Sequence, residues 1–138
     1  MSKYVIETKN LTKQYGTQKS VADLNVHVQK GRIYGLLGRN GAGKTTTMKM
    51  LLGLTQPTSG EVTIWGKPLR TNEKKLLPRI GSLIESPGFY PNLTATENLR
   101  IFATLRGVPN RNAIKNALEL VGLPYKDKKL FSQYSLGM

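Results

Sequence analysis

Strand-type periodicity dominates the first 84 residues of this chain, and helix-type periodicity the remainder. Tyr4 to Thr8, Leu24 to Val28 and Ile33 to Leu37 read as short β segments. The strict alternation of Leu24-Asn25-Val26-His27-Val28 predicts a half-exposed strand. The unbroken apolar run Ile33-Tyr34-Gly35-Leu36-Leu37 predicts a buried, parallel one. From Thr45 to Leu54, Met48, Leu51 and Leu52 recur at helical spacing until Gly53 and Pro57 stop them. Thr58-Ser59-Gly60 predicts a turn, Glu61 to Trp65 an alternating strand broken by Gly66, and Ile80 to Ile84 a second buried strand.

Thr94-Ala95-Thr96-Glu97 has the form of a capping box, in which the Thr94 hydroxyl accepts from the third backbone N–H and Glu97 reaches back. A helix is expected from there to about Arg106, ended by Gly107 and Pro109. Ile114, Ala117, Leu118 and Val121 define the apolar face of another, closed by Gly122 and Pro124. No internal repeat or low-complexity tract interrupts the pattern. It predicts an α/β core with an antiparallel strand layer at one end and a helical lobe at the other.

The chain has 138 residues, a length suited to one domain, and 38% hydrophobic composition, enough to bury a core. No apolar run approaches the length of a membrane span and the N-terminus lacks a secretory apolar core, which predicts a cytoplasmic protein. Cysteine is absent, excluding disulfides and cysteine metal sites. The formal charge is +13, from 21 basic and 8 acidic residues, but the cations are scattered. Even the densest cluster, Lys126 to Lys129, is interrupted by Asp127, so a solvated surface is expected and no nucleic-acid partner.

Gly38-Arg39-Asn40-Gly41-Ala42-Gly43-Lys44-Thr45 completes the G-x-x-x-x-G-K-[ST] pattern directly after the apolar run 33–37. Glycines in this pattern let successive backbone N–H groups point inward at phosphate oxygens, and a helix starting near Lys44 adds its positive end. Lys44 is expected to reach the β- and γ-phosphates of ATP. The Thr45 hydroxyl suits a magnesium ion held otherwise by phosphates and water. Tyr15, followed by Gly16, places an aromatic ring in a turn where no core periodicity requires it, and a flat ring there can stack on adenine. His27, the only histidine, falls on the polar side of its strand, and Trp65 suits a structural role on a sheet face.

With these landmarks in order, the chain resembles the ATP-binding subunit of bacterial ABC transporters. Leu11 to Gly16 looks like the adenine-stacking loop, Gly38 to Thr46 the phosphate loop, and Gln56-Pro57-Thr58-Ser59-Gly60-Glu61 the turn after the first helix. The strand expected at Ile80 to Ile84 leads into what looks like the Q-loop. Tyr134-Ser135-Leu136-Gly137-Met138 stands where the family signature belongs. The stretch Ile84 to Ala95 looks most like the subgroup exporting bacitracin or lantibiotics. The resemblance implies the N-terminal part of one nucleotide-binding domain, with an ATP-binding core at 1–84 and the Q-loop and helical lobe at 85–138. It implies ATP and Mg2+ as ligands, with Tyr15 and residues 38–46 at the nucleotide, and Thr45 and Glu85 at the metal. Ser135 and Gly137 would meet a second nucleotide across a dimer of like subunits. It also implies a transmembrane permease partner, met by Pro87 to Asn92, and a peripheral position at the inner face of the membrane.

Two departures stand out. The Q-loop glutamine is replaced by Glu85, a carboxylate that can ligate magnesium but adds negative charge beside the phosphates. Of the Leu-Ser-Gly-Gly-Gln signature, only Ser135 and Gly137 survive. The acidic strand, catalytic glutamate and downstream histidine implied by the resemblance have no counterpart in these residues, so no catalytic residue is assigned within the chain. Nucleotide binding without efficient hydrolysis is therefore expected, the alternative being a non-catalytic regulatory module. The missing strand is expected to leave an open sheet edge, as in a fragment of a longer protein.

Overall fold

The computed structural model describes residues 2–108 and 112–138, so Pro109, the expected helix stop, lies outside the described residues. Two compact units divide the chain, Met1–Glu85 and Ser86–Met138.

The first unit is built on an antiparallel sheet. Its central strand, β1 (Tyr4–Tyr15), is flanked by β2 (Gln18–Leu24) and β3 (His27–Gln29) on one side and β4 (Ser59–Ile64) on the other; β5 (Lys67–Pro68) pairs with β4. Breaks in register along β1 let its first half pair with β3 and its second half with β2. Thr8 spans the gap between those partners. Its hydroxyl donates to the Leu24 carbonyl at 2.9 Å and accepts from the Val26 N–H at 2.8 Å. A buried threonine in an otherwise apolar layer is thereby fully partnered.

Helix α1 (Lys44–Leu51) and helix α2 (Leu69–Leu76) supply the remaining core. Leu11, Val21, Met50, Val62, Ile64, Leu69 and Leu76 form one buried cluster. Met50 of α1 is buried in this cluster and Leu51 packs against it, while Met48, Leu51 and the C-cap residue Leu52 line an open groove with Trp65 and residues 80–83. His27 is exposed, as its alternating position implied, and stands edge-on to Tyr4 with ring centroids 5.1 Å apart. Trp65 is half-buried against the core, with the Arg79 guanidinium 4.1 Å from its ring centroid.

Several sequence expectations require correction. Ile33 to Leu37 and Ile80 to Ile84 are not strands but irregular backbone, with Ile33 fully exposed and Leu37 at 93%. An apolar run signals burial, but a strand also needs a neighbour for its N–H and C=O groups, and among the described residues no strand pairs with either segment. The strand expected over Leu24 to Val28 is the end of β2 and the start of β3, parted at Asn25 and Val26. Ser59 and Gly60 belong to β4 and not to a turn.

The second unit contains α3 (Ala95–Arg106) and α4 (Ala113–Leu120). The capping box forms as expected: the Glu97 N–H donates to Thr94 Oγ1 at 3.2 Å, and the Thr94 N–H to Glu97 Oε1 at 3.3 Å. Gly107 closes α3 in the left-handed conformation, φ 64°. On α4 only Leu118 is fully buried, while Val121, expected on the apolar face, is exposed. An edge-to-face array of Phe89 with Phe102 and Phe131, centroids 5.2 Å apart in both pairs, supplies much of the apolar packing.

Candidate functional site

The loop from Gly38 to Gly43 doubles back on itself, with the Ala42 N–H donating to the Arg39 carbonyl at 3.0 Å. Its last glycine is the N-cap of α1, φ 93°, and provides no side-chain cap. The first turn of α1 holds no acidic residue either. Its leading N–H groups and the positive end of the helix dipole are thus left for an external anion. The helix start is steadied instead by Thr47, whose N–H and hydroxyl both donate to the Gly43 carbonyl, at 2.9 and 2.8 Å.

Lys44 folds over the loop, its ammonium donating to the Gly38 carbonyl and, at 3.0 Å, to that of Arg39. A cavity of about 380 Å³ opens beside it, lined by Arg39, Asn40, Gly41, Gly43, Lys44, Thr45, Thr46 and Ser20. Two cations, a helix start and two threonine hydroxyls converge there with no carboxylate in the lining, a donor set that fits a polyphosphate. The Thr45 hydroxyl, in the same lining, fits a magnesium ion that takes its other oxygens from phosphates and water.

Seven of the expected nucleotide-binding residues therefore meet in one cavity. Gly38 and Ala42 lie in the loop but outside its lining, and a methyl at Gly38 would come within 3.0 Å of the Ala42 Cβ. Tyr15 also lies outside it. It is the last residue of β1, with Gly16 beginning the turn to β2, and is 53% exposed. Glu85 is exposed, has φ 61° and does not line the cavity. Ser135 and Gly137 are exposed in the second unit, with the Met138 N–H donating to the Ser135 carbonyl at 3.1 Å.

Three residues escaped the sequence reading. Ser20 of β2 enters the phosphate-loop cavity, and its carbonyl packs directly on Gly43. Only recognition of the Tyr15-Gly16-Thr17-Gln18 hairpin could have brought it there. Lys13 holds its ammonium 5.2 Å from the centre of the Tyr15 ring, a contact invisible without the strand geometry. Asn98 is buried within α3, where an asparagine normally reads as surface. Its side chain accepts from the Tyr90 N–H at 2.8 Å and donates to the carbonyls of Tyr90, at 3.1 Å, and Thr94, at 3.0 Å. The segment 90–94, following Glu85, is thus tied to α3. Phe89 and Tyr90, both expected on a contact surface, part company: Phe89 joins the aromatic array and Tyr90 is 54% exposed.

A glycine-rich loop running into an uncapped helix beside an antiparallel sheet defines a P-loop nucleotide-binding core of the α/β class. The chain belongs to the ABC transporter family, whose sequence profile matches residues 21–138. It is 58% identical over 134 residues to the bacitracin transport ATP-binding protein BcrA of Bacillus licheniformis, covering 97% of this chain and 44% of that protein. The lantibiotic transport ATP-binding protein SrtF of Streptococcus pyogenes is 40% identical over 134 residues, covering 97% of this chain and 57% of the relative. Among solved structures, an ATP-binding subunit of an ABC transporter superposes with a TM-score of 0.79 at 28% identity, covering 96% of this chain and 56% of that one. The chain thus spans about half the length of these relatives. No described helix is long and apolar enough to cross a membrane.

Proposed function

We propose that this chain is the nucleotide-binding part of an ATP-binding subunit that powers export of a peptide antibiotic of the bacitracin or lantibiotic kind. The observation that carries the reading is the uncapped, acid-free start of α1 at the glycine loop. An anion is the ligand such a site suits, and the names of the two antibiotic-transport relatives suggest the cargo. In this reading Lys44 leaves the Gly38 and Arg39 carbonyls to hold the β- and γ-phosphates, and the loop amides hold the rest. Tyr15 takes the adenine. Bound Mg2+ neutralises phosphate charge, with Thr45 and Glu85 as its protein ligands.

The 138 residues bind Mg-ATP and turn it over poorly, because they contain no Asp-Glu pair to activate water and no histidine beyond His27. Two subunits associate around two nucleotides, with Ser135 and Gly137 of one meeting the nucleotide of the other. A permease subunit docks near Tyr90, holding the assembly at the cytoplasmic face of the membrane. The division into a core at 1–84 and a helical lobe at 85–138 serves that arrangement.

The test is calorimetric titration with Mg-ATP. Lys44→Ala is expected to weaken binding roughly ten- to hundredfold, the worth of a charge-assisted contact of about 1.5–3 kcal/mol. Undiminished affinity would remove the phosphate loop from the proposal.

A further inference from the structure

The ring of Tyr15 is held from one side. Lys13, two positions earlier on β1, places its ammonium 5.2 Å from the ring centroid. That ammonium is itself fixed, donating to the Gln56 carbonyl at 2.8 Å. Two further bonds tie the same stretch of β1 to the turn after α1: the Gln14 N–H donates to Thr58 Oγ1 at 2.9 Å, and the Thr58 N–H to the Thr12 carbonyl at 2.8 Å. The ring therefore belongs to a framework that includes α1, whose first residue is Lys44.

We propose that Lys13 is a positioning residue for base recognition, fixing the Tyr15 ring and leaving its opposite face for a purine. This rests on the reading of Tyr15 as the adenine platform. A cation against one face draws π density toward itself, so the far face repels a stacked, electron-rich base less. A ring already anchored also loses less conformational freedom on binding. The competing role is simple attraction of phosphate by one more exposed lysine. The two roles differ in what they select: the first acts only on ligands with a base, the second on any polyphosphate.

The full chain is titrated with ATP and with inorganic tripolyphosphate, both with Mg2+. Lys13→Met is expected to weaken ATP about two- to fivefold, as a surface cation–π contact does, and to leave tripolyphosphate unchanged. Lys13→Arg restores ATP affinity, since a guanidinium can both cover the ring and donate to Gln56. In a Tyr15→Ala background, Lys13→Met has no further effect on ATP, because the two residues act as one unit. Should Lys13→Met unfold the chain, Lys13→Gln keeps a donor for the Gln56 carbonyl, removes the charge and carries the same expectation. Equal weakening of ATP and tripolyphosphate overturns the proposal in favour of simple charge attraction. Unchanged ATP affinity in Lys13→Met beside weakened affinity in Tyr15→Ala overturns the role of Lys13 alone. Unchanged affinity in Tyr15→Ala overturns the adenine platform and the role of Lys13 with it.

Discussion

A methyl group on Gly43 would stand 2.3 Å from the carbonyl oxygen of Ser20, so the end of the phosphate loop rests against the backbone of β2. Gly43 also has φ 93°, a conformation that other L-residues adopt at a cost of about 1–3 kcal/mol. Gly43→Ala is therefore expected to lower unfolding free energy by at least about 2 kcal/mol in urea titration. It also displaces the loop, so Mg-ATP binding falls with it. Gly41 has φ 83°, but a methyl there would find no atom within 4 Å, so Gly41→Ala meets conformational strain without the collision. A loss of stability as large in Gly41→Ala as in Gly43→Ala would mean that contact with Ser20 is unimportant.

Asn98 answers four backbone groups in the segment that follows the Glu85 region. Its Nδ2 donates to the carbonyls of Tyr90, Leu93 and Thr94, at 3.1, 3.4 and 3.0 Å, while its Oδ1 accepts from the Tyr90 N–H. Asn98→Leu strands these groups, and each buried orphan costs about 1–3 kcal/mol. Asn98→Asp keeps the acceptor but turns a carboxylate oxygen toward the three carbonyls, so it is expected to be worse than Asn98→Leu. Hydrogen exchange at the Tyr90 amide reads the difference, with protection lost in Asn98→Leu.

The legible parts of this chain were those whose chemistry is local. The phosphate loop and the Thr94–Glu97 capping box are fixed by residues within eight positions of each other, and both carry specific side chains. Strand β2 was not legible: register shifts opposite it break the alternation, leaving Val21 buried and Ala22 and Asp23 both exposed. Helix α2 escaped because only Leu69 and Leu76, two turns apart, are buried among Arg70, Lys74 and Lys75. The exposed run Ile33 to Leu37 misled for the opposite reason. Its residues report the burial they suit, but strand formation depends on a pairing partner elsewhere in the fold.

Phe89 and Tyr90 are adjacent in sequence and opposite in expected consequence. Phe89 packs edge-on against two rings, so Phe89→Ala is expected to destabilise the second unit by about 2–4 kcal/mol. Tyr90→Ala keeps the backbone bonds to Asn98 and removes an exposed ring, changing stability by no more than about 0.5 kcal/mol. Under the proposed function, the second variant placed in the full-length protein is expected to separate ATP hydrolysis from export without loss of folded protein. Intact export in Tyr90→Ala would remove this segment from the proposed permease contact.

Ile33 and Leu83 are large apolar side chains exposed in the same unit, Leu83 at 62%. Their segments, 33–37 and 81–84, join no strand of the sheet among the described residues. Exposed large apolar side chains are sites of association with another chain. Self-association that deepens with concentration is therefore expected in sedimentation velocity. Ile33→Lys and Leu83→Lys should weaken it without lowering unfolding free energy, because neither side chain is buried. A substitution that destabilises the monomer would instead show that the side chain packs in solution. If both variants sediment as the parent does, these segments are not where copies meet, and the exposed Leu105 and Leu120 of the second unit become the surfaces to alter.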